Sequence, residues 1–135
     1  PRKNYVADPG IARALSRTIS PNEARMLENF IFLELFRQGK HPNIDLFYYK
    51  TKSGNEVDFL LRQGNSVSEL IQVSYTLLDP GTRSREIRAL TRAAKELRCD
   101  NLKIITFNDE HEIIKSDKYQ IESQPILSWI EAKVI

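Results

Sequence analysis

Between Thr82 and Arg98 the sequence sets six basic residues, Arg83, Arg85, Arg88, Arg92, Lys95 and Arg98, against the two acids Glu86 and Glu96. Arg85, Arg88, Arg92 and Lys95 recur at spacings of three and four, so a helix carries them as one stripe. Such a stripe can meet the backbone phosphates of a nucleic acid without reading its bases. A solvated helix face produces the same pattern, with Arg92 and Glu96 as an ordinary i,i+4 pair, and the two readings weigh equally. Carboxylates offer a second chemistry. Glu28 interrupts an apolar helical run, which marks it as a site residue or as half of an ion pair with an arginine. Asp58 alternates with apolar neighbours, as it would on a solvent-facing strand surface. Glu56, on the Asp58 face, and Glu34 are the other nearby acids.

Other chemistries find little support. His41 and His111 stand apart in loop-like segments, so neither a zinc site nor a nucleophilic triad is indicated. Cys99 is the single cysteine, which rules out an internal disulfide, and reads as a small packed residue at a helix end. No GxxxxGK[ST] segment occurs, so no ATP site of that kind is expected. The net charge of +2 is too small to imply a nucleic-acid partner by itself. At 135 residues, 41% hydrophobic and 28% charged, the chain suits one domain with a real core. No apolar run approaches the length of a bilayer crossing and no leader opens the chain, so a soluble cytoplasmic protein without a membrane partner is expected. The opening Pro1-Arg2-Lys3-Asn4-Tyr5-Val6 reads like the interior of a longer protein, so an excised fragment is expected.

The elements that must position these residues follow from periodicity and turn signals. Residues 1–20 form a lead-in, with a turn at Asp8-Pro9-Gly10 and a short helical pattern through Ile11, Ala14 and Leu15. Ser20-Pro21 with Glu23 resembles a capping box. Leu27, Phe30, Ile31 and Leu35 then recur at helical spacing until Gly39. Phe32, Leu33 and Phe36 widen that stripe so far that a central helix is expected. Strands follow at Leu46–Tyr49, Glu56–Leu61 and Leu70–Tyr75, separated by turns at 52–55 and 63–66. Alternation sets Val57, Phe59 and Leu61 against Glu56, Asp58 and Leu60, and Ile71, Val73 and Tyr75 against Leu70, Gln72 and Ser74. Each strand should thus show one apolar and one polar face, and in a hairpin Asp58 and Gln72 project to the same side. A helix over Thr82–Arg98, with Ile87, Leu90, Ala94 and Leu97 inward, leads to a buried strand at Leu102–Phe107. A polar loop or short hairpin at 108–118, a short strand at Tyr119–Ile121 and a helix after Pro125, through Leu127, Trp129 and Ile130, form an appendix. The expectation is an α/β domain over 21–135, a mixed sheet flanked by helices.

Particular segments carry a resemblance. They are Leu27-Glu28-Asn29-Phe30-Ile31-Phe32-Leu33-Glu34-Leu35, the run from Tyr49 to Phe59 with Glu56-Val57-Asp58, and Ile71-Gln72-Val73-Ser74-Tyr75. Arg85-Glu86 and the segment Pro125 to Trp129 fit the same pattern. Together they resemble the C-terminal domain of unknown function that follows an AAA+ ATPase module in many archaeal and bacterial proteins. That domain is itself similar to PD-(D/E)xK, restriction-endonuclease-like nucleases. The resemblance covers nearly the whole chain. It implies a core of helix, three-stranded antiparallel meander, helix and strand, an attached N-terminal AAA+ ATPase module as partner, and DNA as a further partner.

In the nuclease pattern, magnesium polarises the phosphate and lowers the pKa of the attacking water. Its ligands are an acid on the first helix, an aspartate on the second strand and an acid on the third, with a lysine two residues later. Carried over, the resemblance assigns Glu28, Asp58 and Gln72 to the metal and Ser74 to the lysine position. Gln72 brings no negative charge, so magnesium, if held, is expected to be held weakly. Ser74 lacks the cation that would stabilise an anionic transition state, although Lys50 or Lys52 could reach in from the neighbouring strand and turn. The resemblance therefore implies a nuclease-derived domain without competent cleavage, acting as a DNA-associated or interaction module. The alternatives are an active magnesium-dependent nuclease and a structural, protein-binding domain with a vestigial pocket.

Overall fold

Turn residues and apolar spacing set the elements. The structure, a computed structural model, describes residues 21–134. The Asp8-Pro9-Gly10 turn, the short helix after it and the Ser20 cap lie outside the described residues. Helix α1 (Pro21–Arg37) buries Leu27, Ile31 and Leu35, four residues apart on one stripe, with Met26 beside Leu27. It ends where Gly39 takes φ +93°, a left-handed conformation that glycine adopts without Cβ strain. The expected central position does not hold. Phe30 is 44% and Phe36 48% exposed, because a helix laid on one sheet can bury only one face.

Strands β1 (Leu46–Lys50), β2 (Glu56–Gln63) and β3 (Ser66–Val73) form an antiparallel meander. Helix α2 (Pro80–Leu97) starts at Asp79-Pro80, where the Asp79 carboxylate accepts from the Thr82 N–H at 2.8 Å. It returns the chain to β4 (Leu102–Thr106), parallel to β3. Then come β5 (Glu112–Ser116), β6 (Tyr119–Pro125) and α3 (Ile126–Val134). The described residues thus form three helices and a six-stranded mixed sheet in the order β1-β2-β3-β4-β6-β5. The last hairpin is no appendix: β6 pairs parallel with β4 and carries β5 at the sheet edge. No helix among the described residues is long and apolar enough to cross a membrane.

Helices cover both sheet faces. On one, Leu90, Ala93 and Ala94 of α2 pack with Val57, Leu60, Leu70, Ile104 and Ile121. On the other, Leu27 and Ile31 of α1 and Trp129 of α3 pack with Phe59, Leu61, Ile71 and Ile105. The expected polar strand faces are therefore absent from β2 and β3, since a sheet covered on both sides buries both. Truncating a fully buried residue such as Ile71 would cost about 2–5 kcal/mol.

Strand β2 also breaks its alternation. Phe47 pairs with Leu60 but Tyr49 with Val57, so β2 carries one residue more than β1 over that interval. This β-bulge at Asp58 and Phe59 rotates Val57 to the α2 side while Phe59 and Leu61 face α1. Val57, Phe59 and Leu61 do not share a face.

Candidate functional site

Next to the bulge the β2–β3 ladder stops, and Gln72 meets the main-chain groups of β2. The last β2–β3 partners beside the bulge are Phe59 and Ile71. Beyond them, Gln72 Oε1 accepts from the Asp58 N–H at 2.8 Å, and its Nε2 donates to the Glu56 carbonyl at 2.9 Å. In return Asp58 Oδ2 accepts from the Val73 N–H at 2.8 Å. Gln72 is only 2% exposed and Asp58 is half-buried. A buried main-chain group without a partner costs about 1–3 kcal/mol, so each bond removes a real penalty. The amide suits the place because the acceptor and the donor it meets lie on either side of Val57. A carboxylate could satisfy the Asp58 N–H, but its second oxygen would face the Glu56 carbonyl oxygen.

Ser74 lies just past the end of β3. Its Oγ donates to the Thr76 carbonyl at 2.8 Å and its N–H to the Ile105 carbonyl at 3.0 Å, so the hydroxyl shapes the exit from the strand. Glu28 is half-buried on α1, which covers the Phe59 and Ile71 side, whereas Gln72 alternates with Leu70 toward the α2 side. The structure thus brings Asp58 and Gln72 into direct contact, while Glu28 lies on the helix that covers the Phe59 and Ile71 side. Among the described residues, no three His, Cys, Asp or Glu side chains form a group able to hold a metal ion. Glu56 is exposed and contributes through its carbonyl. Glu34 bonds Arg37 at 2.5 Å, and that bond holds its carboxyl below the ordinary range. Lys50 and Lys52 are exposed.

The basic stripe on α2 divides into used and unused charges. Arg83 grips Glu112 of β5 at 3.0 and 2.6 Å, Arg85 stands 3.5 Å from Glu86, and Lys95 meets Asp117 at 2.5 Å. Arg92 donates to the neutral Asn55 Oδ1 at 2.8 Å and to Ser53 Oγ at 3.2 Å, while Arg88 is exposed. The hydrogen bonds of Glu96 go to β1 and its turn rather than to Arg92: it accepts from the Tyr49 hydroxyl at 2.7 Å and the Lys52 N–H at 3.1 Å. The Tyr49 bond holds the Glu96 carboxyl below its usual range, and the same bond pushes Tyr49 up to about 12.

Two arrangements gave no signal in the sequence. Asp109 accepts from the Leu77 N–H at 2.7 Å and Thr76 Oγ1 at 2.9 Å, tying the segment after β3 to the one after β4. Beside it Tyr75 and Phe107 stack at 4.9 Å. Glu69 and Lys103 form a largely buried ion pair at 2.5 Å between β3 and β4. A single acid in a polar loop, or one charge in each of two strands, announces no partner. His111 bonds Glu122 at 2.8 Å, the His41 ring stands edge-on to Phe36, and Cys99 is 4% exposed, with burial pushing its thiol up.

Comparison with known proteins places the chain among relatives. A family described as "Domain of unknown function (DUF4143)" matches residues 23–126. The uncharacterized protein MJ1544 of Methanocaldococcus jannaschii is 47% identical over 119 residues, covering 84% of this chain and 26% of that protein. The chain thus spans about a quarter of that relative's length. Among solved structures, the refined half-complex from the tetradecameric assembly of Thermococcus gammatolerans McrB AAA+ hexamers with bound McrC contains a similar chain. The TM-score is 0.50 at 12% identity, over 76% of this chain and 27% of that one, a likeness of fold alone.

Proposed function

The chain belongs to the DUF4143 family of domains of unknown function, and we propose that it is a restriction-endonuclease-like accessory domain of a larger AAA+ ATPase, with its cleavage site converted into a structural clasp. The order of helix, antiparallel meander, crossover helix and parallel strand supports that fold reading. The greater length of MJ1544, and a fold neighbour from an assembly of AAA+ hexamers with a bound partner, favour an attached ATPase.

The observation that carries the loss of cleavage is the double commitment of the Gln72 amide. A magnesium site built on Glu28, Asp58 and Gln72 does not fit it. The Gln72 oxygen points at a donor, the Asp58 N–H, and one Asp58 oxygen holds the Val73 N–H. No lysine stands at Ser74, whose hydroxyl serves the local turn.

Incubation with supercoiled plasmid and magnesium or manganese tests the reading. No nicking is expected above the protein-free control. Metal-dependent nicking that disappears in Asp58→Ala overturns it. The pair Gln72→Glu with Ser74→Lys is expected to create no nuclease, and cleavage gained by that pair would mean that the clasp can be opened into a metal site.

A further inference from the structure

The outer side of α2 and the β5–β6 turn enclose two adjoining depressions of about 340 and 650 Å³ that share Lys95. Their floor is a bonded seam, with Thr91 Oγ1 2.9 Å from Ser116 Oγ and Lys95 Nζ 2.5 Å from Asp117 Oδ2. Arg88, Arg92, Lys95, Arg98 and Lys118 line the groove against only Asp100 and Asp117, a surplus of three on a chain whose whole net charge is +2. Arg88, Arg98 and Lys118 are exposed and form no ion pair among the described residues. Arg92 is oriented by neutral Asn55 and Ser53, which leave its charge intact. Arg85 lines neither depression and stands beside Glu86.

We infer that this groove holds the phosphodiester backbone of a nucleic acid without reading its bases. Arg88, Arg92 and the C-cap Arg98 stand four and six residues apart along α2, with Lys95, paired to Asp117, between the last two and Lys118 across the groove. At a rise of about 1.5 Å per residue they extend over roughly 15 Å of helix. A duplex strand places a phosphate about every 3.4 Å of its axis, so roughly four phosphates fall within that reach. A line of cations suits a regularly charged backbone. A peptide whose acids alternate with apolar side chains would need apolar seats, and Ile87 is the only aliphatic residue of the described lining. Compared with the stripe that spacing alone defines, the groove leaves out Arg85 and adds Arg98 and Lys118. It does not rest on whether the domain cleaves.

Fluorescence anisotropy of the chain with a short labelled duplex of mixed sequence tests this. Binding is expected to weaken steeply between about 50 and 200 mM salt, with a log–log slope of roughly −3 to −4 for about four neutralised phosphates. Arg88→Glu, Lys118→Glu and Arg85→Glu change the net charge equally, so they separate the groove from general charge. The first two are expected to cost at least about tenfold in affinity, and Arg85→Glu no more than about twofold, with far-UV circular dichroism unchanged in all three. Absence of binding at low salt, a salt-independent affinity or equal losses in the three variants overturns the inference. So does tighter binding of labelled polyglutamate than of the duplex, which would assign the groove to an acidic protein segment.

Discussion

Gln72 and Asp58 are bonded in both directions across the β2–β3 pair. Gln72 Oε1 accepts from the Asp58 N–H, and Asp58 Oδ2 accepts from the N–H of Val73, the residue after Gln72, both at 2.8 Å. Together with the Gln72 bond to the Glu56 carbonyl, these side chains take the place of main-chain bonds beyond Phe59 and Ile71, where the β2–β3 ladder ends. The two positions that the proposed nuclease likeness would assign to a metal are bonded between β2 and β3 here. Their chemistry is specific to an amide facing an aspartate, and that specificity can be measured.

Gln72→Glu removes the donor to the Glu56 carbonyl and buries a carboxylate against it. A loss of about 1–3 kcal/mol or more in urea unfolding is expected near neutral pH. Burial raises the folded-state pKa of the introduced carboxyl above its unfolded value. Its stability contribution is therefore fully present below the unfolded pKa and lost as pH rises through the folded one, so the deficit should be smaller at about pH 4 than at about pH 8. A variant as stable as the parent at the higher pH would contradict the clasp.

Asp58 can be dissected through the Val73 amide. Asp58→Ala leaves that N–H without its acceptor and should cost about 1–3 kcal/mol. Asp58→Asn keeps an oxygen in place and should lose less. Hydrogen exchange at Val73 reads the bond directly: protection should fall in the alanine variant and persist in the asparagine one. Equal protection in both would assign the Val73 amide another partner.

Glu69 and Lys103 stand 2.5 Å apart with side chains 9% and 17% exposed. Removing either alone strands a largely buried charge, so Glu69→Leu or Lys103→Met should each cost about 3–5 kcal/mol. The double replacement should recover most of that loss. A double-mutant cycle by chemical denaturation measures the coupling, and additive single effects would show that the pair is solvated and weak.

Tyr49 and Glu96 tie β1 to α2 through one bond whose pH limits are set at both ends. The depressed Glu96 pKa contributes stability that is present above its unfolded value and lost as pH falls through the folded one. The Tyr49 pKa, raised to about 12, contributes stability present below its unfolded value and lost as pH rises toward about 12. Tyr49→Phe should remove both effects. Absorbance titration should show the late-titrating tyrosine disappear, and carboxylate NMR should show Glu96 moving back up. An unmoved Glu96 would mean that the Lys52 N–H alone holds it down.

Much of the architecture was legible in the chain. Apolar residues three and four apart marked α1 and α2, and alternating segments with Gly54 and Gly64 between them marked the meander. Local periodicity suffices there because burial of one face decides the element. Asp58 and Gln72 were legible as neighbours, since strands joined by so short a turn pair with one another. Their bonding was not, because it depends on where the β2–β3 ladder ends. The second hairpin was legible only in part. β5 has charged residues at Glu112 and Lys115, and an edge strand can remain polar.

By itself the sequence determined the elements, their chain order and the family pattern, all of which rest on local spacing and residue type. Only the tertiary structure decided that β6 inserts between β4 and β5, that Val57 turns to the α2 side, and that Gln72 serves β2. It also decided which arginines are spent on Glu112 and Glu86 and which remain exposed along the groove. The reason is physical. Register, bulges and ion pairs join residues far apart in the chain, and a segment's own composition cannot state which partner will face it.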